Sequence, residues 1–178
     1  MAAENHLMSD TSPFVLFEIE PSYVLNWDII ESRKSFFQKT LHPDFFPAGS
    51  TECEHATAKM AFVNNAYMAL KDPIYRAKML LEVKKVAVPG ENGATTRDPN
   101  LMEEALSFKE FLAEATANND FTSLFEVLDK KQKVLEEIFN NAFLENDEHQ
   151  MKEAYIRLSF CVKTLTDAKT ICFENMGN

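Results

Sequence analysis

Apolar side chains recur at intervals of three and four positions through the C-terminal part of the chain, and this spacing limits what that part can form. Such spacing places the side chains on one face of an α-helix. Helices are predicted over residues 101–117, 120–143 and 147–175, with short polar breaks between them. Helices joined by short breaks pack as antiparallel neighbours, so a three-helix bundle is expected. Its core is predicted to include Leu124, Val127, Leu128, Val134, Leu135, Ile138, Phe139, Ala142, Tyr155, Leu158, Cys161, Val162, Leu165 and Ala168.

The N-terminal part of the chain also follows a helical pattern. Asn26 is a suitable N-cap for a helix that should end near Leu41, because His42 precedes a proline. A second helix is predicted over residues 50–71 and a shorter one up to about residue 85. Since only 4 of the 178 residues are glycine, tight hairpin turns are scarce and the chain is predicted to be all-α. The apolar set of the second helix is Ala58, Ala61, Phe62, Ala66, Met68, Ala69 and Leu70.

Turn-forming residues divide the chain into two parts. Residues 88–100 contain two prolines and two glycines and are predicted to be a linker. Residues 13–87 would form one domain and residues 101–178 the other. The polar residues 1–12 are predicted to be a flexible tail.

The net charge of −10 argues against a nucleic-acid partner, because nucleic-acid binding normally needs a basic surface. Residues 1–97 carry ten basic and twelve acidic side chains, whereas residues 98–178 carry eight and sixteen. The two parts are therefore expected to meet different partners. No apolar run approaches the roughly 18 residues of a membrane span, so no membrane partner is expected.

Residues that hold metals or cofactors do not form a usual motif. Cys53 and His55 lie too close in sequence for an ordinary zinc site, and no second pair follows. The three cysteines cannot all pair with one another, and none lies in a Cys-x-x-Cys motif, so a reducing compartment is the simplest interpretation. Glycine-rich phosphate loops and nucleophile motifs are absent from the sequence. No metal and no cofactor are therefore predicted.

The most informative local motif is His42-Pro43-Asp44, which follows the first long helix. Proline and aspartate are good turn residues, so the tripeptide could simply end one helix and begin a turn. An acid–base pair of His42 and Asp44 would instead require a concave pocket around both side chains. The tripeptide alone leaves these alternatives open.

The surroundings of the tripeptide resemble the J-domain of DnaJ-type co-chaperones, in which two antiparallel helices present a His-Pro-Asp loop. Asn64-Asn65-Ala66-Tyr67, Leu70, Asp72-Pro73 and Arg76 reproduce the pattern at the end of the second helix of that domain. Phe45 stands where many J-domains have a basic residue, and Leu41 replaces an aromatic or basic residue often found before the tripeptide.

Further segments resemble HscB, the co-chaperone family of iron–sulfur cluster assembly. Residues 74–81, Ile-Tyr-Arg-Ala-Lys-Met-Leu-Leu, are similar to an Arg-Ala-x-x-Leu-Leu segment of that family. Three further segments resemble the start of its C-terminal bundle: Arg97-Asp98, Leu101-Met102-Glu103-Glu104 and Phe108-Lys109-Glu110. The resemblance spans nearly the whole chain.

This resemblance implies an all-α fold in which an N-terminal J-domain and a C-terminal three-helix bundle form an L-shape. It also implies a protein that is not an enzyme but stimulates ATP hydrolysis by a HscA/DnaK-type chaperone. The residues implied in chaperone binding are His42, Pro43, Asp44, Arg33, Lys34 and Lys39. Their basic members would meet an acidic chaperone surface.

The resemblance further implies that the bundle binds a scaffold of the IscU type, which carries the iron–sulfur cluster itself. Met102, Leu106, Glu110 and Glu114 lie four apart and share one helix face, and Phe160 could complete the surface. The apolar members could instead be ordinary core residues. A bacterial cytoplasmic location is expected. A J-domain co-chaperone for another client, or a helical adaptor without chaperone activity, stays an alternative.

Overall fold

The computed structural model describes residues 12–90 and 98–176, leaving out the side chain of Met176, and this part of the chain contains seven α-helices and no β-strand. The predicted all-α class is therefore confirmed. Of the predicted tail, residues 1–11 lie outside the described residues, and so do residues 91–97 of the linker predicted over 88–100. Pro99 and Asn100, at the end of that predicted linker, belong to a helix. The chain divides into two compact units between Met79 and Leu80. The domain boundaries proposed from the sequence stay predictions.

The first unit contains a helical hairpin, and side-chain caps fix the residues at which its two long helices begin. Its helices are α1 (Pro13–Leu16), α2 (Trp27–Leu41), α3 (Thr51–Lys71) and the beginning of α4 (Pro73–Val83). Asn26 accepts hydrogen bonds from the backbone N–H groups of Asp28 and Ile29, at 3.1 and 3.3 Å. Ser50 caps α3 in the same way by accepting from the N–H of Cys53 at 3.1 Å. These caps satisfy amide groups that a helix start leaves unpaired.

The buried face of α3 differs from the predicted apolar set. The buried residues follow a four–three spacing, and they are Ala56, Met60, Val63, Ala66, Tyr67 and Leu70. Of that apolar set, Ala66 and Leu70 are buried, whereas Ala58, Ala61 and Met68 are exposed. Apolar residues surround much of this helix, so the sequence does not decide which face packs.

The second unit contains the expected three-helix bundle. Its helices are α5 (Pro99–Asn118), α6 (Phe121–Glu145) and α7 (Glu148–Met176), close to the predicted bounds. Helix α7 packs against both α5 and α6. Its buried residues alternate at three and four positions, and they are Met151, Ala154, Leu158, Cys161, Leu165 and Ala168. This spacing keeps one continuous apolar stripe against the two neighbouring helices.

Two valines predicted in the core of α6 are exposed instead. Val127 and Val134 have 50% and 54% of their surface accessible, whereas Leu128 and Leu135 are buried. Each valine directly precedes a leucine of the buried stripe. An adjacent position is turned about 100° around a helix, so both members of each pair cannot face the same core.

Cys161 packs as a small apolar residue, as expected. Its side chain is fully buried, and the thiol donates to the carbonyl of Leu128 at 3.5 Å. Burial raises the pKa of the Cys161 thiol to about 11, because the charged thiolate would lose its hydration.

Two asparagine–aspartate pairs turn the chain between the bundle helices. Asn119 and Asn146 adopt left-handed backbone conformations, with φ of 50° and 59°. The next residues, Asp120 and Asp147, accept backbone N–H groups of the following helix. The pKa of Asp120 is lowered by the hydroxyl of Ser123 and by backbone N–H groups. Asparagine tolerates the left-handed region that glycine usually fills, so the chain ends these helices without glycine.

We predict that Asn119→Ala destabilises the protein by about 1 kcal/mol, because alanine is sterically disfavoured in a left-handed conformation. Asn119→Gly, the matched control, should match or exceed the stability of the wild type. Urea unfolding followed by circular dichroism measures both changes. Equal loss of stability in the two variants would contradict this explanation of the turn.

Candidate functional site

The His42-Pro43-Asp44 tripeptide lies where α2 ends and a short 3₁₀ turn (Pro43–Phe45) begins. His42 has extended backbone angles of φ −65° and ψ 130°, as a residue before proline requires. Its Nδ1 atom accepts the backbone N–H of Asp44 at 3.3 Å and lies 3.6 Å from the Asp44 carboxylate. The tripeptide therefore has a defined shape held by its own hydrogen bonds.

The two titratable side chains of the tripeptide face solvent. The side chain of His42 is 48% exposed and that of Asp44 is 84% exposed. Surface depressions of about 580 and 310 Å³ occur elsewhere on the described residues, and neither is lined by His42 or Asp44. This geometry suits contact with another protein better than acid–base catalysis, which works within a concave pocket.

Phe45 closes the 3₁₀ turn and is also exposed. Its backbone N–H donates to the carbonyl of His42 at 3.1 Å, and its ring meets the imidazole edge-on with centroids 5.9 Å apart. The side chain is 65% accessible to solvent. The turn thus presents an imidazole, a carboxylate and an aromatic ring within four consecutive residues.

The three basic residues of α2 have different surroundings. Arg33 donates to the carbonyl of Phe17 at 2.5 Å and pairs with Glu18 at 2.6 Å. Lys34 places its ammonium 3.6 Å from the ring centre of Tyr67 on α3. Lys39 is exposed and has no ion pair within the described part of the chain. Arg33 and Lys34 therefore connect parts of the first unit. Of the three basic side chains, Lys39 is the most accessible to a partner protein.

Tyr67 is the centre of the contact between α2 and α3. The buried tyrosine donates a short hydrogen bond to Glu31, packs edge-on against Trp27 at 6.3 Å, and lies beneath Lys34. Lys71 lies 4.8 Å from the same ring. Because the beginning of α2 meets the end of α3, the helices run antiparallel and place the connecting tripeptide at one tip of the hairpin.

Several residues that carried the family resemblance have structural roles at the other end of α3. Asp72 accepts the N–H groups of Ile74 and Tyr75 at 2.8 Å, and so caps α4. Arg76 donates to the carbonyl of Tyr23 at 3.0 Å and stacks over its ring at 4.5 Å. These contacts of Asp72 and Arg76 stabilise the fold of the first unit.

The predicted scaffold-binding residues of α5 are on the surface. Met102 and Leu106 are 56% and 55% exposed, so they are not core residues of the bundle. Glu110 and Glu114 are also exposed, whereas Phe160 on α7 is half-buried. The four α5 side chains, those of Met102, Leu106, Glu110 and Glu114, lie one turn apart along a single face of the helix. An apolar strip continued by carboxylates is a surface suited to a partner.

An ion-pair network centred on Glu104 was not predicted from the sequence. Its carboxylate bonds to Lys131 of α6 at 2.7 Å and to Arg157 of α7 at 2.9 Å. Glu104 therefore links all three helices of the bundle. The spacing of Glu104 is a signal in the sequence, because a residue three positions after buried Leu101 and four before buried Phe108 lies on the same helix face as these core residues.

A shallow depression lies beside this network between α5 and α6. It has a volume of about 310 Å³ and is lined by Ser107, Phe108, Phe111, Val127 and Leu128, with Glu104 and Lys131. The exposed side chain of Val127 forms part of this surface.

Groups of three or more metal-ligating side chains do not occur in residues 12–90 and 98–176. Among the helices of the described residues, none combines the length and the apolar character that a membrane span requires.

The sequence and fold both match known co-chaperones. Residues 97–169 match the family described as "HSCB C-terminal oligomerisation domain". The "Co-chaperone protein HscB homolog" of Vibrio vulnificus is 33% identical over 119 residues, which are 66% of this chain and 69% of the relative. That of Mannheimia succiniciproducens is 28% identical over 90% of this chain and 95% of the relative.

A solved structure shows the same fold across both parts of the chain. The crystal structure of human co-chaperone protein HscB matches with a TM-score of 0.78 and 24% identity, covering 90% of this chain and 82% of the human chain. The fold is thus that of an all-α co-chaperone with a J-domain hairpin and a C-terminal helical bundle. The chain belongs to the HscB family of co-chaperones.

We predict that Arg33→Ala lowers the free energy of unfolding by about 1 kcal/mol, because it removes a charged hydrogen bond to a backbone carbonyl. Lys39→Ala is the matched control on the same helix and should leave stability within about 0.5 kcal/mol of the wild type. Thermal and urea unfolding compare the two variants. The assignment of Arg33 to an internal role would be wrong if both variants unfolded like the wild type.

Proposed function

We propose that this co-chaperone stimulates ATP hydrolysis by a HscA/DnaK-type chaperone and brings it an iron–sulfur scaffold of the IscU type. The observation that carries the proposal is the exposed His42-Pro43-Asp44 turn at the tip of an antiparallel helical hairpin. Membership of the HscB family supports the same conclusion. The protein would act in the cytoplasm of a bacterium.

The loop would act by binding, without supplying a catalytic group. Pro43 fixes the backbone and holds His42 extended, so the turn meets its partner with little further ordering required. The Asp44 carboxylate is free to accept hydrogen bonds or to pair with a cation of the chaperone. If the turn binds the hydrolysis-competent state of the chaperone more tightly than the other state, it shifts the population toward hydrolysis.

Basic residues of α2 would guide the encounter with an acidic chaperone surface. Lys39 is the best placed of the predicted three, because Arg33 and Lys34 already have partners within the first unit. Exposed charges act over about 10 Å at moderate salt and mainly affect the association rate. Stimulation should therefore weaken as salt rises.

The bundle would bind the scaffold through the exposed strip on α5. Met102 and Leu106 provide apolar anchors, and Glu110 and Glu114 extend the same face with negative charge. Phe160 on α7 would add a half-buried edge to this surface. Apolar anchors surrounded by charge supply affinity and orientation together. The cluster itself would stay on the scaffold.

The loop is tested by Asp44→Asn, which keeps the shape of the side chain and removes its charge. We expect stimulation of the chaperone ATPase to be lost, while circular dichroism and the unfolding temperature stay unchanged, because the carboxylate is exposed. Asp167→Asn, at an exposed position on α7, is the matched control and should stimulate normally. An Asp44→Asn variant as active as this control would exclude the loop as the contact.

The scaffold surface is tested by a double variant, Met102→Ala with Leu106→Ala. We expect the affinity for an IscU-type scaffold to fall by about tenfold or more, since removing exposed anchors costs binding rather than folding. Val127→Ala with Val134→Ala is a matched control, because these valines are similarly exposed on α6. Calorimetric titration measures both affinities.

The variants of the loop and of the α5 surface, each with its control, also separate the alternatives left open by the sequence. Equal affinity of both double variants for the scaffold would reject the α5 surface. Stimulation of the chaperone without any scaffold binding by the wild type would indicate a J-domain co-chaperone for another client. Absence of both activities would leave a helical adaptor.

A further inference from the structure

Phe45 is an exposed phenylalanine in the loop, and the proposed function gives it no role. Phe45 follows the tripeptide directly and is 65% accessible, although it is one of the larger apolar side chains. It lies on the surface that presents His42 and Asp44 rather than on the buried face of the hairpin. Covering a solvent-exposed apolar ring with a partner surface lowers the free energy of the complex.

The position of Phe45 is fixed by the turn. Its N–H bonds to the carbonyl of His42 at 3.1 Å, and the N–H of Phe46 bonds to the carbonyl of Pro43 at 3.0 Å. The ring also rests against the edge of the imidazole, with 61° between the ring planes. A side chain held in this way loses little conformational entropy on binding, which favours its use as an anchor.

We propose that Phe45 is a chaperone contact in its own right, an aromatic anchor that enters an apolar recess of the ATPase beside the site that receives His42 and Asp44. The inference rests on the proposed chaperone function and adds a residue to it. The partner it fits is an ATPase surface with a non-polar patch at this point, where a lysine or arginine in the loop would require a carboxylate.

An apolar anchor makes a different contribution from the basic residues of α2. The attraction between Lys39 and an acidic surface weakens as salt screens the charges. Burial of a phenyl ring carries no such screening. Phe45 should therefore contribute a part of the affinity for the chaperone that does not depend on salt. The tripeptide should determine the maximal stimulation of ATP hydrolysis.

The test measures chaperone ATP hydrolysis against the concentration of full-length co-chaperone, at low and at high salt. Phe45→Ala should raise the concentration for half-maximal stimulation by about tenfold at both salt levels, with the maximum unchanged. Phe45→Leu should keep most of the affinity. Phe45→Lys should be as weak as the alanine variant, even at low salt. Phe173→Ala removes a phenylalanine that is 80% exposed on α7 and should behave as the wild type.

Three outcomes would overturn the proposal. The first is a Phe45→Ala variant with wild-type half-maximal concentration. The second is a variant that loses maximal stimulation instead of affinity, which would mean that the ring acts through His42. The third is recovery of full affinity by Phe45→Lys at low salt. Failure of the proposed function is distinguishable, because the wild type itself would then give no stimulation.

Discussion

Pro43 determines where the first long helix stops, and the geometry of the turn over residues 42–45 follows from that stop. A proline lacks an amide hydrogen and disfavours helical angles in the residue before it, so α2 cannot pass His42. His42 accordingly adopts φ −65° and ψ 130°, and the next three residues form a 3₁₀ turn. Because this turn joins two packed helices, its side chains face solvent instead of a core. The imidazole, carboxylate and phenyl ring are presented together for that reason.

The turn is useful to a partner only if the two helices below it are held in register. Tyr67 provides this connection, since it is buried and touches Trp27, Glu31 and Lys34 of α2 at once. Arg33 adds a bond from the same helix to the carbonyl of Phe17. Charged residues of α2 thus stabilise the fold itself, since Glu31, Arg33 and Lys34 all make contacts within the first unit. Their number on the helix is a poor guide to the charge left for binding.

Residue patterns predict the helices of this chain more reliably than they predict which faces pack. The helix ends are accurate because proline, asparagine and aspartate act locally. Met68 was placed in the apolar set of α3 and Val127 in the core of the bundle. Both are exposed, because neighbouring apolar residues compete for the same buried face. The internal bonds of Arg33 and the three-helix contact of Glu104 depend on distant residues that no local pattern contains. The tripeptide was recognisable because its signal is local.

In the proposed function, one chain couples a chaperone to its client through two separate surfaces. The most direct measurement is the rate of ATP hydrolysis by a HscA-type chaperone with this protein alone, with an IscU-type scaffold alone, and with both together. We expect stimulation by the protein alone and a rate with both that exceeds the sum of the separate effects. A rate that the wild-type protein leaves unchanged, with the scaffold and without it, would contradict the coupling.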